Sequence, residues 1–128
     1  MTTSGIDVVD QEGELEPTCS VLVVEDDELQ QSLIRDFLER HGHSVTVTAD
    51  GEEAIRTAQR IVPDIVLLDI RLDGIDGYEV CRRLRIHPVL SEVYVLMLTG
   101  LSDREARIKA FESGADDFIT KPFDEIEL

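Results

Sequence analysis

Ile65-Val66-Leu67-Leu68-Asp69 is the stretch on which the fold turns. Four aliphatic residues run straight into a carboxylate, with Pro63 just before them and Asp73, Gly74, Asp76 and Gly77 soon after. A short, uninterrupted apolar run between chain breakers reads as a strand buried on both faces of a parallel sheet. Asp69 then stands at the carboxyl end of that strand, where open α/β sheets hold their ligands. On this stretch alone, Asp69 serves equally well as a solvated strand terminus or a helix cap.

The same grammar recurs outward in both directions. Val21-Leu22-Val23-Val24 runs into Glu25-Asp26-Asp27, and Tyr94-Val95-Leu96-Met97-Leu98 runs into Thr99. Val45 and Val47 alternate with Thr46 and Thr48 in a weaker strand, and Phe118-Ile119 is a short last one before Lys121. Between the strands, apolar residues recur at helical spacing. Leu29, Leu33, Ile34, Phe37 and Leu38 mark a first helix ended by Gly42; Ala54, Ile55, Ala58 and Ile61 or Val62 mark a second, closed by Pro63. Tyr78, Val80, Cys81 and Leu84 mark a third, stopped by Pro88, and Ala106, Ala110 and Phe111 give a fourth with a thin apolar stripe, ending at Gly114. Cap pairs agree independently of hydrophobicity: Asp27 with Gln30, Asp50 with Glu53, Asp76 with Glu79, and Ser102 with Glu105. Each can satisfy the open N–H groups of a first turn. Five strands alternating with helices predict a doubly wound, parallel α/β sheet with right-handed crossovers.

The ends of the chain are different. Residues 1–18 hold Asp7, Asp10, Glu12, Glu14 and Glu16, no Lys or Arg and no sustained period, and read as a mobile acidic extension. Pro122 to Leu128 resembles the first turn of a further helix, with Asp124 and Glu127 spaced as a cap pair. A parallel sheet needs both faces covered, so a fifth helix of roughly 12 residues is expected but truncated. These 128 residues then read as a fragment of a longer protein; the alternative is a partner chain over the bare face.

Composition narrows the function. The chain has 128 residues and 42% hydrophobic content, which suits one core. A net charge of −16 argues against a nucleic-acid surface, whose phosphate contacts need clustered Lys and Arg. It suits a cation or a basic partner, or serves solubility alone. The two cysteines, Cys19 and Cys81, have no metal or redox spacing, and Cys81 reads as core filling. No apolar run is long enough for a membrane span and no signal peptide opens the chain, so the expected compartment is the cytosol. None of His41, His43 and His87 is assigned to a metal; His41, at a helix end, suits the helix dipole.

Glu25, Asp26, Asp69, Thr99 and Lys121 all fall at or just after carboxyl ends of strands, so one crevice can gather them. Grouped carboxylates repel, and a hard divalent cation held by few protein oxygens and waters relieves this in the Mg²⁺ manner. A carboxylate beside such a cation can attack phosphorus. Phosphoryl transfer spreads charge over three oxygens, which Mg²⁺, an ammonium and a hydroxyl can each meet. Each signal is weak singly. Their order, spaced by roughly one βα unit of about 30 residues, is much more specific.

With these residues in order, the chain resembles the receiver (phosphoacceptor) domain of two-component response regulators over residues 19–128, its motifs running from Val21 to Phe123. The resemblance implies a flavodoxin-like fold with strand order 2-1-3-4-5 and a phosphorylated aspartate at Asp69. It implies Mg²⁺ bound by Asp26, Asp69 and the Arg71 backbone carbonyl, with Glu25 acting through water. Lys121 and Thr99 take catalytic roles, Thr99 and Phe118 switch, and the Lys121-Pro122 bond is cis. It implies a protein that catalyses only its own phosphorylation and dephosphorylation. Its partners would be a sensor histidine kinase or phosphotransfer protein, a second copy through the helix-4/strand-5 face, and an output domain beyond Leu128, with no nucleic-acid or membrane contact of its own. Three residues depart from the family pattern. Glu25 replaces the commoner Asp, Asp73 stands where Pro is usual, and Arg71 brings a cation beside the pocket. Arg71 either pairs with Glu25, shields a phosphoryl group from water, or is simply an exposed loop residue. Two rivals stand beside this reading. An aspartyl phosphatase has a second Asp two residues after the first, where this chain has Arg71. A degenerate receiver would act only as a phosphorylation-independent binding module, against which the retained Glu25, Asp26, Asp69, Thr99 and Lys121 argue.

Overall fold

The computed structural model describes residues 18–72, 74–99 and 104–120, with the backbone alone at Thr99. Five strands alternate with four helices: β1 Ser20–Val24, α1 Glu28–Arg40, β2 Ser44–Thr48, α2 Gly51–Ile61, β3 Ile65–Asp69, α3 Gly77–Ile86, β4 Tyr94–Thr99, α4 Arg104–Glu112 and β5 Asp117–Thr120. All four pairings are parallel and the order is β2-β1-β3-β4-β5. The sheet and its order are those expected from the sequence and the resemblance.

The strands with continuous apolar runs are the buried ones because each turns alternate side chains to opposite faces. Leu22, Val24, Val66, Leu68, Val95 and Met97 face a core shared with α2, α3 and α4. Val21, Val23, Leu67 and Leu98 face the opposite way, onto Ile34, Phe37 and Leu38 of α1. Full burial of side chains such as Leu22 and Leu68 stabilises the fold by about 1.5–3 kcal/mol each. Cys81 is fully buried in the first of these cores, and burial pushes its thiol pKa up. It is packing, as expected.

Helix ends follow the local chemistry. Asp27, Asp50 and Asp76 each accept a hydrogen bond from the backbone N–H three residues on, at 3.0, 2.8 and 2.9 Å. Gly42, at φ +88°, takes the left-handed conformation that ends α1. Before it, the His41 ring donates through Nδ1 to the Phe37 carbonyl at 2.9 Å, so this histidine satisfies an open helix carbonyl.

Two helical stripes differ from expectation. Leu29 and Leu33 are 68% and 58% exposed, because α1 meets the sheet through Ile34, Phe37 and Leu38 alone. A stripe at four-residue spacing drifts about 40° per step around the helix, and these two leucines have rotated past the sheet. Phe111 of α4 is likewise 46% exposed, leaving Ala106 and Ala110 as the buried residues of that helix. The expected acidic extension through residue 17, Ser102 cap, cis bond at Lys121-Pro122 and further helix over residues 122–128 fall, with Asp73, outside the described residues. No described helix is long and apolar enough to cross a membrane.

Candidate phosphoacceptor site

The register of the central strands builds the site. Val24 of β1 pairs with Leu68 of β3, so one step further Glu25 comes opposite Asp69. Asp69 pairs on its other side with Leu98 of β4, and Thr99 is the next residue of that strand. Adjacent strands lie about 4.8 Å apart, which is the scale of a metal coordination sphere. Carboxylate oxygens of Glu25, Asp26 and Asp69 lie within 4.8 Å of one another.

Burial divides the three. Glu25 and Asp69 are 2% and 6% exposed, whereas Asp26 is open to solvent. A buried carboxylate needs hydrogen bonds, and the chain supplies them from its own backbone. The Asp27 N–H donates to Glu25 Oε2 at 3.2 Å, and the Arg71 N–H donates to Asp69 Oδ1 at 3.1 Å. The acidic loop is held twice more, by the Glu25 N–H on the Thr48 carbonyl at 3.0 Å and by Gln31 Nε2 donating to the Glu25 carbonyl. Beside it a cleft of about 360 Å³ is lined by Asp26, Ile70, Arg71, Leu72 and Asp76. Arg71 itself is exposed.

The donor set fits Mg²⁺. Three hard oxygen ligands can reach one small ion, because opposite ligands of an octahedral Mg²⁺ are about 4.2 Å apart at bonds of about 2.1 Å. One exposed member leaves a side for water and for an incoming phosphate.

Thus the structure brings Glu25, Asp26 and Asp69 together, with Arg71 following on the loop. The side chain of Thr99 and the whole of Lys121 lie outside the described residues. Phe118 stands on β5, half-buried against the core that includes Met97 and Ala110. Two contributors had no signal in the sequence. Gln31 is a polar helix residue that no period singles out. Gly77 read only as a breaker, yet its backbone lies directly against that of Asp69 and its N–H donates to the Ile70 carbonyl at 2.8 Å.

Comparison with known proteins agrees with this geometry. The family model for the response regulator receiver domain matches residues 21–128. The chain belongs to this family. It is 41% identical over 108 residues to the response regulator PleD of Caulobacter vibrioides, covering 84% of this chain and 24% of that relative's length. The chain therefore corresponds to about a quarter of PleD. A putative response regulator from Chloroflexus aurantiacus superposes with a TM-score of 0.83 at 38% identity, covering 87% of this chain and 91% of that one. The receiver domain of sensor histidine kinase PA1611 from Pseudomonas aeruginosa has a TM-score of 0.80 at 33% identity, with the same two coverages. That structure carries a magnesium ion coordinated in its active site cleft. This receiver domain is accordingly a signalling module of two-component systems.

Proposed function

We propose that Asp69 accepts a phosphoryl group from a phosphohistidine and that the domain relays the event through its α4–β5 face. The single observation that carries this reading is the convergence of Glu25, Asp26 and Asp69 at the carboxyl edge of β1 and β3. Asp26, Asp69 and the Arg71 carbonyl would hold Mg²⁺, with Glu25 acting through water. When bound, the ion supplies positive charge that offsets the carboxylates and the phosphoryl oxygens.

The residues of the chain do the rest. The Arg71 N–H orients the Asp69 carboxylate through Oδ1. An Asp69 oxygen attacks phosphorus, the bond from phosphorus to the donor's imidazole nitrogen breaks, and its electron pair stays on the imidazole. The product is a mixed anhydride on Asp69. Lys121 and the Thr99 hydroxyl are assigned to phosphoryl oxygens. Thr99 then moves toward the phosphoryl group and Phe118 into the space it leaves, which shifts the population of α4–β5 conformations.

The partner in this reading is a sensor histidine kinase or a phosphotransfer protein. Leu29 and Leu33, exposed on α1 directly after the acidic pair, offer an apolar landing for it. Ile108 and Phe111, exposed on α4, suit a second copy of the chain. An output domain beyond Leu128 and a cytoplasmic location complete the proposal, with no nucleic-acid contact from this domain.

Incubation with acetyl phosphate and Mg²⁺, followed by intact mass spectrometry, tests the reading. A receiver gains one phosphoryl group, lost in Asp69→Asn. Many turnovers of phosphate release would instead indicate a phosphatase, and neither result a phosphorylation-independent binding module.

A further inference from the structure

Little apolar burial holds α4 to the body of the domain. Its buried residues are Ala106 and Ala110, while Ile108 and Phe111 point away to solvent. Two cations compensate, each over an aromatic ring from a different element. Arg107 Cζ lies 5.6 Å from the centroid of Phe118 on β5, and Lys109 Nζ lies 5.0 Å from that of Tyr78 on α3. Both distances are within the roughly 6 Å over which a ring quadrupole attracts a cation.

The two anchors differ in kind. Tyr78 is buried, and its hydroxyl donates to the Ala106 carbonyl at 3.3 Å, which fixes the ring at its far end. Phe118 is half-buried on the edge strand β5 and has no polar atom to fix it. Among the described residues no carboxylate pairs with Arg107, so the ring is the group that its guanidinium meets there. A planar guanidinium stacks on such a surface better than an ammonium.

We infer that Arg107 is a positioning residue for the Phe118 ring. Its guanidinium favours the half-buried placement of the ring over a fully buried one and ties that choice to the position of α4. The inference rests on the proposal that Phe118 is the switching aromatic. A ring that moves inward gives up the cation, so α4 loses one of its anchors and a positive charge is released on the α4–β5 face. The state of the ring and the charge presented to a partner are thereby one event.

The test incorporates para-fluorophenylalanine in place of Phe118 and reads fluorine NMR spectra of the full chain. Wild type is compared with Arg107→Gln, which keeps length but no charge, and with Arg107→Lys, which keeps a cation. Without any phosphodonor, Arg107→Gln is expected to raise the minor ring environment about two- to fivefold, the size of an exposed cation–π contact. Arg107→Lys should return most of that change. Spectra of Arg107→Gln that match wild type overturn the inference, as does a Lys variant that behaves like Gln or a single ring environment in all three. Phosphoryl uptake is measured on the same samples by mass spectrometry. Failure of wild type to take up phosphate refutes the phosphoacceptor reading, while the donor-free spectra still decide the role of Arg107.

Discussion

The α-carbon of Gly77 packs so closely on Asp69 that a Cβ added there would lie 2.5 Å from the Asp69 carbonyl oxygen and 2.7 Å from the Ile70 Cα. Both neighbours are backbone, and neither can swing aside as a side chain would. Gly77→Ala is therefore expected to cost about 1–3 kcal/mol, the usual penalty for overpacking. It should also displace the carboxylate that the same strand end presents, slowing labelling by acetyl phosphate. Urea unfolding and the rate of phosphoryl uptake check the two effects separately.

Gln31 reaches back from the second turn of α1 to the Glu25 carbonyl. Gln31→Leu keeps the bulk and removes the donor. Losing one neutral hydrogen bond of about 1 kcal/mol is expected to lower the melting temperature by about 2–8 °C and, as the acidic loop loosens, to weaken Mg²⁺ binding by at most about fivefold. Calorimetric titration with Mg²⁺ measures it.

Arg85 joins three segments at the opposite end of the sheet. It donates to the Gly114 carbonyl at 2.8 Å, to the Ser91 carbonyl at 3.0 Å, to the Val93 carbonyl, and to Asp116 Oδ2 at 2.7 Å. Asp116 also accepts the Val95 N–H at 2.9 Å. Arg85→Ala leaves several of these acceptors without a donor and is expected to destabilise by about 2–4 kcal/mol in urea unfolding. Arg85→Lys should recover little, because one ammonium cannot span the fork.

Glu79 sits between two guanidinium groups, Arg82 at 2.9 Å and Arg83 at 3.0 Å. Hydrogen bonds from Arg82 and then Arg83 hold its pKa below the ordinary 4.5. A carboxylate whose pKa falls on folding contributes stability that is complete above 4.5 and lost as the pH drops through the folded value. Glu79→Gln should lower the melting temperature at neutral pH, and the gap from wild type should close in acid below that value. Melting curves at the two pH values decide it.

Arg71 is exposed at the rim of the cleft that Asp26 also lines. If its side chain shields an acyl phosphate from water, Arg71→Ala loses phosphate about two- to fivefold faster. Equal dephosphorylation rates would dispose of that role.

The sheet was legible in the sequence because its inner strands are apolar on both faces, and Val21–Val24 and Ile65–Leu68 have no other soluble setting. The neighbour order was not: hydrophobicity says that a strand is buried but not beside which other, and the order came from the resemblance. Periodicity grouped Leu29 and Leu33 with Ile34 and Phe37, since it reports a shared helical stripe and not where the sheet beneath it ends. The acidic cluster was legible as three strand-end carboxylates. Its supports were not, because a helical glutamine and a glycine carry no pattern that marks what they touch.

The placement of β1 between β2 and β3 has a consequence for how the chain matures. Val21 finds its β3 partner at Ile65, 44 positions along the chain, and closing so long a loop is slow and entropically costly. Glu25 and Asp69 meet only when that ladder has zipped to its end. A nascent or misassembled chain therefore lacks the assembled acidic cluster, and under the proposed function a phosphate captured at Asp69 would certify that the centre of the molecule has finished folding.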